Sequence, residues 1–169
     1  MIQTRPMTHE DDFWRMRSLL IDTVPLIPIG LNWDMRRLDG KRFYEANLAE
    51  NRLLARPIQL WETGDGRLAG FVLSEGAGDA HLNVHPDFRH LEGEMIDWAT
   101  DNLAAPADDG MRLEVYTYEY DVLRQGLLDA RGFDKTPYWG MIRHMRLGEQ
   151  PLTQQATAEG NQDPMLIMD

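Results

Sequence analysis

The hydrophobic period of the chain changes from helical to strand-like between residues 50 and 58, and this change constrains the fold more than any other feature. Before it, apolar residues recur at helical spacing, as in the stripe Phe13, Met16, Leu20 and Val24. After it, the strand-like runs 58–63 and 67–74 flank Gly64-Asp65-Gly66, a hairpin turn signal. Both periods in one chain predict an α/β domain in which helices cover a sheet.

The predicted elements run in the order strand, two helices, three antiparallel strands, helix, strand, helix and final strands. The first strand, Ile2 to Arg5, stops at Pro6, and Thr8 with Asp11 resembles a capping box for the first helix. The second helix is expected from about residue 39 to 50, burying Phe43, Tyr44 and Leu48. Later strands are expected at 80–84, at 111–118 after a polar loop at 105–110, and at 138–147. Later helices are expected at 91–103 and at 121–130, the second capped by Asp121 and followed by Gly132.

The length of 169 residues suits one domain plus a tail. We expect the domain over residues 1–147 and a polar linker or disordered tail over 148–169, which is rich in Gln and Thr and has no periodicity. No stretch approaches the roughly 20 apolar residues that span a bilayer, and the N-terminus does not resemble a secretory signal. The chain has no cysteine, which excludes disulfides and thiolate chemistry. A cytoplasmic location without membrane contact is expected.

The formal net charge of −11 restricts the kinds of molecule that are expected to bind the chain. An acidic surface repels polyanions, so nucleic acid is not expected as a partner. The same charge favours a cationic acceptor such as a small amine.

One motif and the order of elements together resemble a known family. In the segment VHPDFR, Val84, Pro86 and Arg89 match the V-x-P-x-x-R pattern that ends the fourth strand of GNAT acetyltransferases, and Arg131-Gly132-Phe133 resembles their closing Gly-Phe. The resemblance covers about residues 1–147. It implies a mixed, mostly antiparallel twisted sheet with helices on both faces.

Three longer segments resemble the N-terminal lobe of tandem, two-lobed GNAT proteins. They are LNWDMRRLDG at 31–40, WETGDGRLAGFV at 61–72 and HPDFRHLEGEMIDWA at 85–99. The resemblance implies a second GNAT lobe, or a second copy of this chain, as partner.

The family resemblance also implies a reaction and a cofactor, namely transfer of an acyl group from acyl-CoA, such as acetyl-CoA, to an amine. The strands at 80–84 and 111–118 are expected to separate near Val84 and Tyr116, where the family admits pantetheine. The cofactor-binding positions carried over are Asn83, Val84, Arg89, His90, Leu91, Glu92, Gly93 and Glu94.

The phosphate loop departs from the family pattern R-x-x-G-x-G/A, whose backbone N–H groups hold the CoA pyrophosphate. Counted from Arg89, Glu92 and Glu94 occupy both glycine positions; counted back from the helix, the loop is about two residues shorter and Glu92 still replaces the last glycine. A carboxylate about 5 Å from a phosphate charge costs on the order of 3 kcal/mol at an effective dielectric constant near 20. We expect these glutamates to stabilise the first helical turn in place of the anion, with no nest of free N–H groups.

No catalytic residue is assigned from the sequence. Leu128 stands where the family often has a proton-donating tyrosine, and leucine cannot transfer a proton. Tyr116, Tyr118, His81, Glu75 and Glu114 lie on neighbouring strands or turns, but half-buried sheet residues explain such positions at least as well. A metal site is not expected, because His81 and His85, four residues apart on a strand, are about 13 Å apart.

Three functions therefore stay open at the level of sequence. The first is N-acyl transfer to an amine. The second is a catalytically inactive lobe that dimerises or supports a partner lobe, favoured by Glu92, Glu94 and Leu128. The third is a small-ligand binding module without chemistry.

Overall fold

The computed structural model of the chain describes residues 1–28, 31–43, 57–108 and 110–136. Residues Met1–Asp134 form one compact unit. The expected strand at 138–147, the tail at 148–169 and the second half of the predicted second helix lie outside the described residues. Within the described ranges, no helix has both the length and the apolar character needed to cross a bilayer.

The main sheet has five strands, which lie in the order β1 (Ile2–Pro6), β2 (Gln59–Thr63), β3 (Leu68–Leu73), β4 (Asp79–Val84) and β7 (Glu114–Val115). The first four pair in antiparallel fashion, whereas β4 and β7 pair in parallel. A mixed, mostly antiparallel sheet is therefore confirmed.

Helices cover both faces of this sheet, as predicted. The described helices are α1 (Glu10–Thr23), α2 (Met35–Phe43), α3 (Glu92–Leu103) and α4 (Val122–Asp129), and a 3-10 helix over Pro86–Leu91 precedes α3. One buried cluster joins α1 and α2 to Phe71 and Leu73 of β3. The other joins α3 and α4 to Val72 and to the apolar residues of β4. The β3 side chains contribute to both clusters because successive residues of a strand point to opposite faces.

The turn between β2 and β3 forms at the predicted glycines. Gly66 has a φ of 84°, which a residue with a side chain rarely adopts. Its N–H donates to the Thr63 carbonyl at 2.8 Å, and the Thr63 N–H donates to the Arg67 carbonyl at 2.9 Å.

The first helix begins two residues later than the predicted cap. The backbone N–H groups of Thr8 and His9, just before the helix, donate to the Asp12 carboxylate at 3.1 and 3.2 Å. The predicted pairing of Thr8 with Asp11 is therefore wrong. The Arg5 guanidinium also bonds both Asp12 oxygens, at 2.5 and 2.8 Å, and ties α1 to β1. Val24, placed in the buried stripe, is 66% exposed because the helix has ended at Thr23.

Two further expectations need correction. The second helix starts at Met35, about four residues earlier than predicted, and Phe43 at its end is 44% exposed rather than buried. The strand predicted over 111–118 is broken into β6 (Gly110–Arg112) and the short β7. The predicted polar loop before it contains β5 (Ala105–Ala107), which pairs with β6 in a separate hairpin.

The last described helix forms as predicted. The Asp121 side chain caps α4 by accepting from the Arg124 N–H at 3.2 Å. Gly132, just past the helix, has a φ of 78°.

Candidate functional site

The parallel pairing between β4 and β7 is short. Only Asp79 with Glu114 and Ala80 with Val115 are paired, and β7 ends at Val115. The C-terminal half of β4 therefore has no strand neighbour on this side among the described residues. This confirms the predicted separation of the two strands towards Val84.

The Asn32 side chain fills the resulting gap at Val84. The Val84 N–H donates to Asn32 Oδ1 at 2.9 Å, and Asn32 Nδ2 donates to the Val84 carbonyl at 3.0 Å. Because His85 bonds Ala69 of β3, the alternation of an antiparallel ladder directs the Val84 backbone away from β3 and into the gap. The Asn32 amide thus takes the place of a neighbouring strand.

The Asn83 side chain is also bonded to the segment that contains Asn32. Its Oδ1 accepts the Trp33 N–H at 2.8 Å, and both residues are buried. Asn83 and Val84, two of the predicted cofactor-binding positions, thus lie against residues 32 and 33.

The chain enters α3 directly from the 3-10 helix. The Glu92 N–H donates to the Arg89 carbonyl, and Leu91, which precedes the helix, has a helical conformation. A phosphate loop needs backbone N–H groups that point outward from a helix N-terminus. The Glu92 N–H is therefore bonded within the chain and is not directed at an anion.

The Glu92 carboxylate lies at the centre of a buried ion-pair network. Arg89 Nε donates to its Oε1 at 2.5 Å, and Arg124 Nε of α4 donates to its Oε2 at 2.8 Å. Asp121 completes the network by accepting from Arg89 Nη2 at 2.5 Å. The formal charges of these four residues sum to zero, and Glu92 is fully buried. Glu92 therefore pairs with two cations in the first turn of α3, at the position predicted for the phosphate loop.

The network extends to the segment that fills the strand gap. Arg124 Nη1 donates to the Leu31 carbonyl at 3.3 Å, and Leu31 adjoins Asn32. Hydrogen bonds and the peptide link between Leu31 and Asn32 therefore connect the α3 N-terminus to the edge of β4.

The other predicted cofactor positions have separate environments. His90 is exposed, and Leu91 packs in the core beside α3. Glu94 is exposed and accepts from Trp61 Nε1 at 2.9 Å. A Cβ on Gly93 would meet the Arg131 guanidinium at 3.0 Å, so a cation of this chain covers that glycine.

His81 is buried on β4 towards α1 and α2, in a polar cluster with the half-buried Glu75 and Asp79. Its Nε2 is 3.6 Å from Glu75 Oε2 and 3.7 Å from Asp79 Oδ2. Trp33 and Tyr116 contact the imidazole, with ring centroids 4.9 and 4.5 Å away, and the Tyr116 ring is stacked. The sequence named His81 and Glu75 but missed Asp79, although a residue two positions before His81 on a strand shares its face.

The electrostatics of this cluster favour an ionised carboxylate at Asp79. Burial disfavours the charged form of Asp79, but the His81 ring, the Ser74 hydroxyl and the Gly76 amide outweigh it and hold the pKa of Asp79 well below its usual range. Burial, followed by the charge of Asp79, raises the pKa of Tyr116.

The remaining catalytic candidates have other roles. Leu128 is buried in the core cluster of α3 and α4. Tyr118 stacks on Tyr120, with centroids 5.5 Å apart, and Glu114 is exposed on β7. Among the described residues, only Tyr116 of the predicted tyrosines contacts His81.

Comparison with known proteins identifies the fold. No protein-family model matches the sequence, and no curated protein does so. A candidate acetyltransferase from Acinetobacter baylyi ADP1 is a similar solved structure, with a TM-score of 0.52, 16% identity and coverage of 79% of this chain and 79% of that chain. The aminoglycoside 6'-N-acetyltransferase AAC(6')-Ih from Acinetobacter baumannii has a TM-score of 0.51 and 11% identity, covering 86% of this chain and 99% of that chain. A predicted acetyltransferase from Clostridium acetobutylicum, solved with acetyl-CoA, has a TM-score of 0.47 and 12% identity, covering 85% and 96%.

A mixed sheet that opens beside its fourth strand, with helices on both faces, defines the α/β fold of this chain. The first two solved structures show that the chain has the GNAT acetyltransferase fold, as the sequence resemblance implied. At these low identities the likeness concerns the fold.

Proposed function

We propose that this chain acts among acyl-CoA-dependent acyltransferases as a supporting lobe, with its own cofactor groove filled by its side chains. The observation that carries the proposal is the full burial of Glu92 between Arg89 and Arg124. A CoA pyrophosphate at this turn has to displace a carboxylate that holds two charge-assisted hydrogen bonds, which are about twice as strong as neutral ones.

The groove beside β4 supports the same proposal. Pantetheine could bond the β4 backbone only through groups that are free, and the Val84 N–H and carbonyl are both bonded to Asn32. Removing Asn32 from the groove would leave two buried backbone groups without partners, which costs about 1–3 kcal/mol for each group.

Titration calorimetry of the full chain with acetyl-CoA tests the proposal. We expect no saturable binding up to about 1 mM ligand, a concentration that corresponds to about 4 kcal/mol of binding free energy. A catalytically active GNAT acetyltransferase under the same conditions is the positive control. Binding in the low micromolar range would reject the filled groove and, with it, the supporting lobe.

The partner of the lobe is a second GNAT lobe or a second copy of this chain. Light scattering over a range of protein concentrations separates the two. A concentration-dependent dimer identifies a second copy, whereas a monomer at all concentrations directs the search to a different GNAT lobe.

N-acyl transfer by this chain itself is the second candidate, and the position of His81 favours it. In this reaction the amine nitrogen attacks the acyl carbonyl carbon, a C–N bond forms, the C–S bond breaks and CoA leaves as the thiolate, which takes a proton from water. His81 Nε2, without a hydrogen-bond partner among the described residues, could accept the amine proton. Amine-dependent release of CoA thiol that His81→Gln abolishes would establish this candidate in place of the first.

A further inference from the structure

We propose that Glu75, Asp79 and His81 bind a divalent first-row transition metal ion such as Zn²⁺. One oxygen of each carboxylate and His81 Nε2 lie within 4.8 Å of one another. Two ligand atoms of a tetrahedral ion at bond lengths of about 2.1 Å are about 3.4 Å apart. The observed separations from Nε2, 3.6 and 3.7 Å, exceed this by a few tenths of an ångström.

The His81 nitrogen is the independent observation that points to a ligand. The side chain is 5% exposed, and Nε2 has no hydrogen-bond partner among the described residues. A buried polar atom without a partner costs about 1–3 kcal/mol. The contacts of Trp33 and Tyr116 with the ring hold Nε2 towards the two carboxylates. A metal ion there would satisfy the nitrogen and both oxygens at once.

The carboxylate of Asp79 is already oriented for coordination. Its Oδ1 accepts from the Ser74 hydroxyl and from the Glu75 and Gly76 amides, both at 3.0 Å. Its Oδ2 faces His81 and has one longer contact, with the Gly76 amide at 3.2 Å. Outer hydrogen bonds of this kind fix the direction of metal ligands.

The two carboxylate oxygens of Glu75 also have different contacts. Oε1 accepts from Arg37 Nε at 2.9 Å and lies 3.6 Å from Lys41 Nζ, whereas Oε2 faces His81. Arg37 Nη2 also bonds Oε2, so a metal ion has to replace that contact while the bond to Oε1 stays. The charges of Glu75, Asp79, Arg37 and Lys41 sum to zero, so net charge does not attract the ion.

The ligand types therefore decide which metal binds. Imidazole with carboxylates suits Zn²⁺ and related transition metals, whereas Mg²⁺ and Ca²⁺ prefer oxygen ligands alone. The sequence predicted no metal site because His81 and His85 are too far apart on a strand to share an ion. The acidic residues come instead from the same face of β4 and from the turn before it.

Calorimetric titration of the chelator-treated full chain with ZnCl₂ tests the site. We expect saturable Zn²⁺ binding that Asp79→Asn weakens at least about tenfold. Asparagine keeps Oδ1 as the acceptor of the turn, so the fold is preserved while the Oδ2 charge is lost. Asp87→Asn is the matched control: Asp87 Oδ2 lies 3.6 Å from His85 Nδ1, but the Asp87 side chain is 75% exposed. This control should bind Zn²⁺ as the wild type does.

His81→Gln provides the second variant, and circular dichroism reports whether it is folded. A folded His81→Gln chain should lose the Zn²⁺ site, and Co²⁺ added to the wild type should give visible absorption bands that this variant lacks. The proposal is overturned if the wild type takes up no Zn²⁺ at about 1 mM, or if Asp79→Asn binds as tightly as Asp87→Asn. If His81→Gln does not fold, the Asp79→Asn comparison alone decides. The result does not depend on acetyl-CoA binding.

Discussion

Glu92 and Arg124 form an ion pair away from water, so each charge is compensated by the charged side chains around it and not by solvent. Arg124 is 2% exposed, and its other carboxylate neighbour, Asp121, is also buried. Removing one partner of a buried pair leaves an uncompensated charge, which costs about 3–5 kcal/mol. Glu92 therefore stabilises the contact of α3 with α4.

Glu92→Ala should lower the free energy of unfolding by about 3–5 kcal/mol in urea denaturation. Asp97→Asn is the matched control, since Asp97 also bonds an arginine of the following segment, Arg131, at 2.6 Å, but is 60% exposed. A pair at the surface contributes only about 0–1 kcal/mol. Equal effects of the two changes would show that burial of Glu92 does not matter for stability.

The same variant tests whether Glu92 stands in for an anion. With the carboxylate removed, Arg89 and Arg124 are available to inorganic phosphate, so phosphate should raise the melting temperature of Glu92→Ala more than that of the wild type. Chloride at the same ionic strength controls for screening. An identical phosphate response in both proteins would contradict the substitution of an anion by Glu92.

Asn32→Ala tests the contact that fills the strand gap. The change leaves the Val84 N–H and carbonyl without their partners, and we expect a loss of about 1–3 kcal/mol for each group that stays unpaired. Hydrogen exchange at the Val84 amide should become faster than in the wild type, while the His85 amide, bonded to Ala69, should be less affected. Unchanged exchange at Val84 would show that another group has replaced Asn32.

At the scale of elements, Asp12 joins the start of α1 to β1 and so sets an acid limit on stability. The Arg5 side chain, through its hydrogen bonds, is the main cause that lowers the pKa of Asp12 well below its ordinary value of 3.8. A lowered folded-state pKa contributes stability above the unfolded value, and this contribution is lost as the pH falls through the folded value.

Asp12→Asn should therefore cost about 1.5–3 kcal/mol at pH 7, and the difference from the wild type should shrink as the pH falls below about 4. Urea denaturation at several pH values measures it. Asp11→Asn is the control in the same turn, since Asp11 is exposed, and should change stability by about 0.5 kcal/mol or less. A difference between wild type and Asp12→Asn that is constant down to pH 2 would rule out the ion pair with Arg5 as its source.

The elements that could be predicted from the sequence are those with a local signal. α4 combines a capping aspartate, an apolar stripe and a following glycine, and the β2–β3 turn has its glycine at the position with positive φ. The β5–β6 hairpin was missed because Ala105-Pro106-Ala107 contains no β-branched or aromatic residue. The start of α2 was missed because its single buried residue, Leu38, gives no apolar period.

The candidate site could be predicted only in part, because most of its contacts join residues that are far apart in the sequence. Glu92 could be recognised as foreign to a phosphate loop because that comparison is local. Its partner Arg124 is 32 residues away and Asn32 is 52 residues from Val84, so neither contact has a signature in sequence spacing. The cluster at His81 had a local signal in Asp79, which lies on the same strand face.

At the scale of the whole molecule, one sheet separates two apolar clusters. Met16 of α1 and Met95 of α3 are both fully buried, in different clusters, while β3 contributes residues to each. Because both clusters depend on the same strands, loss of either one should unfold the sheet.

Met16→Ala and Met95→Ala should each lower stability by about 2–5 kcal/mol and shift one common transition. Far-ultraviolet circular dichroism and tryptophan fluorescence should report coincident urea midpoints in both variants. Two separate transitions in either variant would mean that the faces unfold independently.

The covalent connection of Glu92 to α3 also gives it an entropic advantage over any dissolved anion. A group held on the same chain acts at an effective concentration in the millimolar range or above, without the entropy loss of bringing in a separate molecule. A free nucleotide at micromolar concentration would thus meet Arg89 and Arg124 already saturated. A higher concentration of such a nucleotide would do little to displace the Glu92 carboxylate from the two arginines. A single substitution at position 92 would remove that carboxylate altogether.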